Sequence, residues 1–254
     1  MLNNLFKKQK FEFYSTISGI EHTYPIIPVD ELECTWAKES KDNFAKDRKD
    51  FTKPKHTATH MCSGIQNLHQ QGWVLRSWHD LVIETNGDGQ TFSWTTPGSA
   101  VSSIMGGDPV SYFSTDRFAN FMEIPPNTLK TIVKFNVPWR FHAPKGWGLL
   151  MMPLNYTNES RFSSTTGILD PTLSGQLHVI SFWHVLKGQT LIKAGTPLCQ
   201  LIPVKLENCF DADIRSATQK ELQYDKFSMI TTDSTWVTNK KALVSLYKNT
   251  FKRN

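Results

Sequence analysis

The sequence predicts a mainly β protein, a barrel or a sandwich with helical segments at both ends. Short strand candidates follow one another from residue 118 to 204 and are separated by proline and glycine turns. The composition includes 16 Phe and 8 Trp, an aromatic content that favours strands. Residues 86–89, Asn-Gly-Asp-Gly, lie between two strand-like segments and are typical of a hairpin turn, because both dipeptides accept positive φ angles.

Residues 1–72 are predicted to form an N-terminal extension of mixed helix and loop. Asp30 can cap a helix, and Glu33 follows three residues later, which is a capping-box pattern. Apolar residues then recur at multiples of four, so one face of this surface helix can be buried. A second, short helix is predicted within residues 62–72 and is expected to end at Gly72.

Residues 73–208 are predicted to form the β-barrel domain, with a jelly roll as an arrangement that fits the same strand pattern. The strand candidates are residues 73–85, 91–96, 118–124, 129–137, 139–143, 148–154, 175–183 and 197–204. Residues 209–254 are predicted to form a helical, basic tail, with helical patterns at residues 217–227 and 239–251.

Charge and cysteine usage limit the classes of function. The net charge of +5 is modest. Lysines and arginines concentrate near the two ends of the chain, which are interpreted either as solvated tails or as segments that contact nucleic acid. No apolar run is long enough to cross a membrane, and the N-terminus lacks the apolar segment of a secretory signal. The cysteines are widely spaced, which predicts reduced thiols: Cys34, Cys62, Cys199 and Cys209.

Four ordered motifs within residues 125–204 carry a resemblance to a known superfamily. They are PPNTLKTIV, APKGWGLLMMPL, GILDPTLSG and IKAGTPLCQLIPV. Their order and spacing resemble the core of the deoxyuridine triphosphatase (dUTPase) and dCTP deaminase superfamily. The resemblance implies a dUTPase-like barrel of the β-clip or jelly-roll type and a homotrimer. We expect no cofactor. A wider pattern from MCSGIQNLHQQGWVLRSWHDLVI onwards resembles an uncharacterised protein family encoded by tailed phages, which implies a location in the virion or the host cytoplasm.

Asp170 matches the general base of the superfamily, but the residues that assist this base in the superfamily are missing here. Asp170 matches the aspartate that activates water in the nucleotidohydrolases. Leu154, Asn155 and Tyr156 stand where that family has an Arg-Ser-Gly phosphate-binding turn, so the charge that a triphosphate requires is lost. We also expect that Tyr156 cannot copy the backbone freedom of glycine. Leu173 replaces the aromatic residue that packs on the deoxyribose.

The deaminase activity is disfavoured in the same way, because Ile180 matches the position of the family's catalytic glutamate. The predicted function is therefore a phage-encoded, non-catalytic barrel protein, either a structural component of the virion or a binding module. Other virion proteins are possible partners, and nucleotide or nucleic acid binding is untested. The alternative is a diverged nucleotide-acting hydrolase with Asp170 as general base, although a turn acid is the favoured interpretation. The candidate ligand-binding residues are Asn155, Tyr156, Ser174 and Gln200.

The sequence predicts no metal site. His56 and His60 lie four residues apart with Cys62 beyond them, and they are the candidate ligands if there is one. Threonines between the two histidines disfavour a long helix, so ordinary surface histidines are the favoured interpretation. Among the strand histidines, His178 and His184 lie six residues apart and are expected to share one face of a strand.

Overall fold

The computed structural model describes residues 10–32, 35–49, 62–98, 101–115, 120, 122–207 and 211–225. These residues are mainly β, which confirms the predicted fold class. The chain divides into two compact units, one made of residues 1–34 and 67–207 and the other of residues 35–66 and 208–254. All strands in the described part of the chain belong to the first unit. The domain boundaries expected from the sequence stay a prediction.

The described strands are 2 to 11 residues long. They are β1 (Glu12–Ser15), β2 (Ile27–Pro28), β3 (Trp73–Arg76), β4 (Leu81–Asn86), β5 (Phe92–Thr95), β6 (Val110–Phe113), β7 (Ile132–His142), β8 (Trp147–Met152), β9 (Phe162–Ser164), β10 (Gly167–Leu169), β11 (Gln176–Trp183), β12 (Lys187–Ile192) and β13 (Pro197–Lys205). The helices are α1 (Ile20–Thr23), α2 (Thr35–Lys49), α3 (Ser63–Leu68) and α4 (Val101–Met105).

The strands form three antiparallel sheets around one core. Sheet A has the order β1-β7-β11-β9, with β6 also paired to β7, and sheet B has the order β10-β8-β13-β3-β2. Sheet C consists of β12, β4 and β5. Alternate residues of β11 are buried, as the two-residue period of a strand requires. The core joins Val179 and Trp183 of sheet A to Leu149 and Leu201 of sheet B and to Ile83 of sheet C.

The predicted hairpin is confirmed, since β4 pairs with β5 across residues 86–89. Gly87 and Gly89 both have positive φ angles, 92° and 66°. Asp88 holds the turn by accepting hydrogen bonds from the Thr91 hydroxyl and from the amides of Thr91 and Gln90. These hydrogen bonds stabilise the ionised carboxylate, and they hold the pKa of Asp88 well below its ordinary value.

The predicted barrel is not closed in the part of the chain that the structure describes. Sheet A ends at β9, which is three residues long. The chain then leaves sheet A, and β10 pairs with β8 at the end of sheet B. No described strand pairs with the outer edge of β9, so the arrangement of sheets around the core is open at that edge. This gap positions the candidate site.

Two helix boundaries differ from those expected from the sequence. Asp30 lies in a short 3-10 turn, Val29–Glu31, and the α-helix begins only at Thr35, because Leu32 is extended and interrupts the helical backbone. The second helix ends at Leu68 and not at Gly72. The side-chain amide of Gln200 donates a hydrogen bond to the Leu68 carbonyl at 2.8 Å, and this contact satisfies a carbonyl that a longer helix would have used itself.

The strand predictions succeed best for the long central strands. The strands predicted at residues 129–137 and 139–143 merge into one continuous strand, β7, which covers residues 132–142. The strand predicted at residues 73–85 divides into β3 and β4, which lie in different sheets. The strand expected at residues 118–124 is wrong for the residues of that segment that are described, which form turns and loop. Pro125 and Pro126 follow at once and cannot donate ladder hydrogen bonds.

The described C-terminal segment contains a helix over residues 219–225. Thr218 and Glu221 form a capping box at its start, because the Thr218 amide donates to the Glu221 carboxylate and the Glu221 amide donates to the Thr218 hydroxyl. The helix predicted at residues 239–251 lies outside the described residues. Among the helices that are described, none has the length and apolar character to cross a membrane.

Candidate functional site

A cavity of about 690 Å³ opens beside the free edge of β9. Residues 153–164 and 196–198 line it, so its walls are one long loop, the edge strand and the start of β13. Cavities of this size are typical of sites for small molecules. Asn155 and Tyr156, two of the four ligand-binding candidates from the sequence, lie in this lining.

The loop of the cavity follows directly from its sequence. Pro153 comes after the last residue of β8 and has no amide hydrogen with which to extend the ladder. Thr157 donates its hydroxyl hydrogen to the Leu154 carbonyl at 3.2 Å, which closes a tight turn. Tyr156 inside that turn has φ of 59°, a left-handed conformation. This conformation costs a residue with a Cβ atom about 1 kcal/mol, and the expectation that Tyr156 lacks the backbone freedom of glycine stays a prediction.

The charged residues of the lining are Glu159 and Arg161, and they neutralise each other. The Arg161 side chain donates two hydrogen bonds to the Glu159 carboxylate and a third to the Leu191 carbonyl. The hydrogen bonds to Glu159 raise the pKa of Arg161 above its ordinary value. Both charges are thus already satisfied within the protein, and neither is left to hold the phosphates of a ligand.

Uncharged polar groups make up most of the remaining lining. Tyr156 contributes an aromatic ring that is 52% exposed. The apolar residues of the lining are Pro153, Leu154, Phe162, Pro197 and Leu198. The hydroxyl and amide side chains are Asn155, Thr157, Asn158, Ser160, Ser163, Ser164 and Thr196. Neutral donors and acceptors beside an aromatic ring suit a ligand that carries several hydroxyl groups.

Ser163 joins this cavity to a half-buried histidine, His184. The Ser163 hydroxyl lies 2.9 Å from Nε2 of His184, and Nδ1 of the same ring lies 3.3 Å from the Thr128 hydroxyl. Burial lowers the pKa of His184, so the ring is neutral at pH 7. Sequence reasoning placed His184 on a strand but missed Ser163 and Thr128, because no local motif links residues that lie 21 and 56 positions away.

His178 lies on the same outer side of β11 as residues 180 and 182, since the buried residues of that strand are the odd-numbered ones. Burial and the charges of Lys134 and Arg140 lower the pKa of His178 to about 4. Its Nδ1 atom is buried and has no hydrogen-bond partner among the described residues. A metal or acid partner for this ring is therefore not part of the described structure.

Asp170 lies in a turn after β10 and does not line the cavity. One carboxylate oxygen, Oδ1, accepts hydrogen bonds from the Thr172 amide at 2.9 Å and from the Thr172 hydroxyl at 2.7 Å. The Asp170 carbonyl accepts two more from the amides of Leu173 and Ser174. The carboxylate is thus engaged in its own turn, as a turn acid is expected to be.

The other two ligand-binding candidates are also engaged within the protein. The Ser174 hydroxyl accepts a hydrogen bond from the Gln176 amide at 3.2 Å. Gln200 is 1% exposed, and its amide nitrogen donates to the carbonyls of Leu68 and Gln71, both at 2.8 Å. Both hydrogens of this amide are therefore in use, and roles of Ser174 and Gln200 in ligand binding stay predictions.

The candidate metal ligands are not brought together in the described structure. His56 and His60 lie outside the described residues, and Cys62 is an exposed free thiol. Among the residues that are described, no group of three side chains from His, Cys, Asp and Glu could hold a metal ion.

Comparison with known proteins identifies no family for this chain. No family model and no curated protein matches it. Among solved structures it is similar to the native dUTPase of EIAV, with 12% sequence identity and a TM-score of 0.31. That similarity covers 58% of this chain and 86% of the other.

We expect Asp170→Ala to lower the free energy of unfolding by about 1 kcal/mol, because two hydrogen bonds of an exposed turn are lost. Asp170→Asn keeps the Oδ1 acceptor and should unfold at the urea concentration of the wild type. Urea denaturation followed by tryptophan fluorescence measures both. A dUTPase activity in the wild type that Asp170→Asn abolishes would show instead that the carboxylate acts as a base.

Proposed function

We propose that this chain is a binding module, without nucleotidohydrolase chemistry, that holds an uncharged and hydroxyl-rich ligand in the cavity beside β9. A nucleoside or a sugar is the chemical class that fits. The observation that carries this proposal is the lining, in which the two charged residues form a closed ion pair and the other polar groups are neutral.

The cavity lining supports the proposal in three ways. Its side-chain hydroxyls and amides both donate and accept hydrogen bonds, as the hydroxyl groups of a sugar do. Tyr156 supplies an aromatic ring for the apolar face of such a ligand. Leu154 stands where the resemblance to the dUTPase superfamily would place a phosphate-binding arginine. The phosphates of a nucleoside triphosphate would therefore add little binding free energy in this cavity.

Assembly and biological context are further parts of the proposal, and both rest on the sequence resemblances. We propose a homotrimer encoded by a phage, with a place in the virion and contacts to other virion proteins. Apolar side chains that are highly exposed near the Asp170 turn support a subunit contact, since Leu173 is 86% and Ile168 is 62% exposed. Light scattering measures the number of subunits, and mass spectrometry of purified particles measures the presence of the chain in the virion.

The ligand class is tested with deoxyuridine, dUTP and glucose as probes in calorimetric titrations. We expect measurable binding of deoxyuridine or glucose, and an affinity for dUTP within about threefold of that for deoxyuridine. Asn155→Ala should weaken the binding about tenfold, the effect of one lost hydrogen bond to a ligand.

Ser103→Ala is the matched control, because Ser103 is exposed on α4 and does not line the cavity. Its affinities should equal those of the wild type. Two results would overturn the proposal: dUTP binding far more tightly than deoxyuridine, or no binding of either neutral probe at millimolar concentration.

A further inference from the structure

We propose that Ser163 is a nucleophile, that His184 is its general base, and that the cavity admits an uncharged carboxylic ester to this pair. The inference goes beyond the proposed binding function, because it assigns bond-breaking chemistry to the cavity. The two can fail separately, since covalent reaction at Ser163 requires neither a nucleoside nor a sugar.

The hydrogen bonds around the His184 ring define the direction of proton transfer. Thr128 is buried, and its hydroxyl oxygen lies 3.5 Å from the Pro126 carbonyl and 3.3 Å from Nδ1 of His184, so we assign the tautomer in which Nδ1 donates to Thr128. That tautomer places the lone pair of Nε2 towards the Ser163 hydroxyl, 2.9 Å away. The serine therefore donates to the ring, and the ring is positioned to take its proton.

The backbone holds the pair in place. The His184 amide donates to the Arg161 carbonyl at 2.9 Å, which extends the pairing of β9 with β11 up to the histidine. Ser163 lies opposite Phe182 in the same register. Both members of the pair are thus carried by neighbouring strands of one sheet, and little conformational freedom separates them.

The next residue, Ser164, supplies a donor for the developing negative charge. The Thr165 amide donates to the Ile180 carbonyl, and the Arg161 carbonyl accepts from the His184 amide, so these two groups face the β11 side. Because hydrogen-bonding direction alternates along an antiparallel strand, the Ser164 amide points away from β11, towards the edge where the cavity lies. An amide adjacent to the nucleophile in this orientation can stabilise an oxyanion.

The reaction balances with water as the second reactant. The Ser163 oxygen bonds to the ester carbonyl carbon while its proton moves to Nε2 of His184. The bond from that carbon to the alkoxy oxygen then breaks, and the alcohol leaves with the proton from Nε2. Water attacks the acyl-serine in the same manner, which releases the carboxylic acid and restores Ser163 and His184.

An uncharged ester is favoured over a phosphate ester by the charges of the cavity. Arg161, the cation of the lining, already donates to Glu159 and to the Leu191 carbonyl. A neutral acyl group needs no cation, and the neighbouring hydroxyls and amides of Ser160 and Asn155 can bind the alcohol part of such a substrate.

The test uses the full chain, a fluorophosphonate probe and p-nitrophenyl acetate. We expect the probe to label Ser163, identified by peptide mass spectrometry, and the ester to be hydrolysed. Ser163→Ala should abolish both reactions, and His184→Asn should slow both about 100-fold. Ser103→Ala is the matched control, because it removes an exposed hydroxyl on α4 that does not line the cavity, and it should react like the wild type.

The pH dependence of the wild type provides a measurement that needs no variant to fold. Burial lowers the pKa of His184, and only the neutral ring accepts a proton. The labelling rate should therefore be constant at neutral pH and fall on acidification, with its midpoint below the ordinary histidine pKa. Absence of labelling in the wild type, labelling at another residue, or hydrolysis that persists in Ser163→Ala would overturn the proposal.

Discussion

Replacement of Gly72 by alanine is expected to lower the free energy of unfolding by about 3 to 5 kcal/mol. Gly72 has φ of 77°, a conformation that costs other residues free energy. A Cβ atom at this position would also lie 1.9 Å from the carbonyl oxygen of Leu201 and 2.9 Å from its carbonyl carbon. Both atoms belong to the backbone of β13, so no side-chain rotation can relieve the clash.

Gly19→Ala is the control that separates backbone strain from close approach. Gly19 has φ of 92°, and a Cβ atom there would meet nothing within 4 Å. Its substitution should cost only the strain, about 1 to 2 kcal/mol. Urea denaturation of the two variants measures the difference, and equal unfolding midpoints would show that the backbone beside Gly72 is not packed against β13.

Gln200→Leu is expected to lower the free energy of unfolding by about 2 to 3 kcal/mol. The leucine has a similar volume but donates no hydrogen bond to the carbonyls of Leu68 and Gln71. The Leu68 carbonyl keeps a long hydrogen bond of 3.4 Å from the Gln71 amide, whereas no other hydrogen bond to the Gln71 carbonyl is present in the described structure. The cost arises because the buried site of Gln200 loses both hydrogen bonds to these backbone carbonyls.

Gln189→Leu provides the comparison on an exposed strand. Gln189 donates one hydrogen bond, to the Glu84 carboxylate at 3.1 Å, and both groups are exposed to solvent. Its substitution should change the free energy of unfolding by less than about 0.5 kcal/mol. If Gln200→Leu is no less stable than Gln189→Leu in chemical denaturation, the buried amide does not hold the segment after α3.

Features that depend on neighbouring residues could be predicted from the sequence. The Asn-Gly-Asp-Gly turn forms the expected hairpin because glycine provides the positive φ angles within the turn itself. The long apolar segments of β7, β11 and β13 were also identified, since their apolar content is high in any register. The strand expected at residues 118–124 failed in its described part because apolar content alone does not provide a pairing partner.

The candidate site was predictable only in part. Asn155 and Tyr156 were identified because they match the phosphate-binding turn of the superfamily that the sequence resembles, and both line the cavity. The left-handed backbone of Tyr156 was not expected, because the closing hydrogen bond from Thr157 is not visible in residue preferences. Gln200 was expected at a ligand, and the structure shows its amide engaged with the chain segment before β3.

The sequence by itself determined the mainly β class, the hairpin turn and the uncharged leucine at residue 154, because each of these depends on residue type and on close neighbours. Only the tertiary structure decided that the wall is open beside β9, that the Glu159 and Arg161 charges cancel, and which hydroxyl meets the His184 ring. Pairing register and the packing of distant segments set these contacts, and the free energies that select one register are distributed over the whole core.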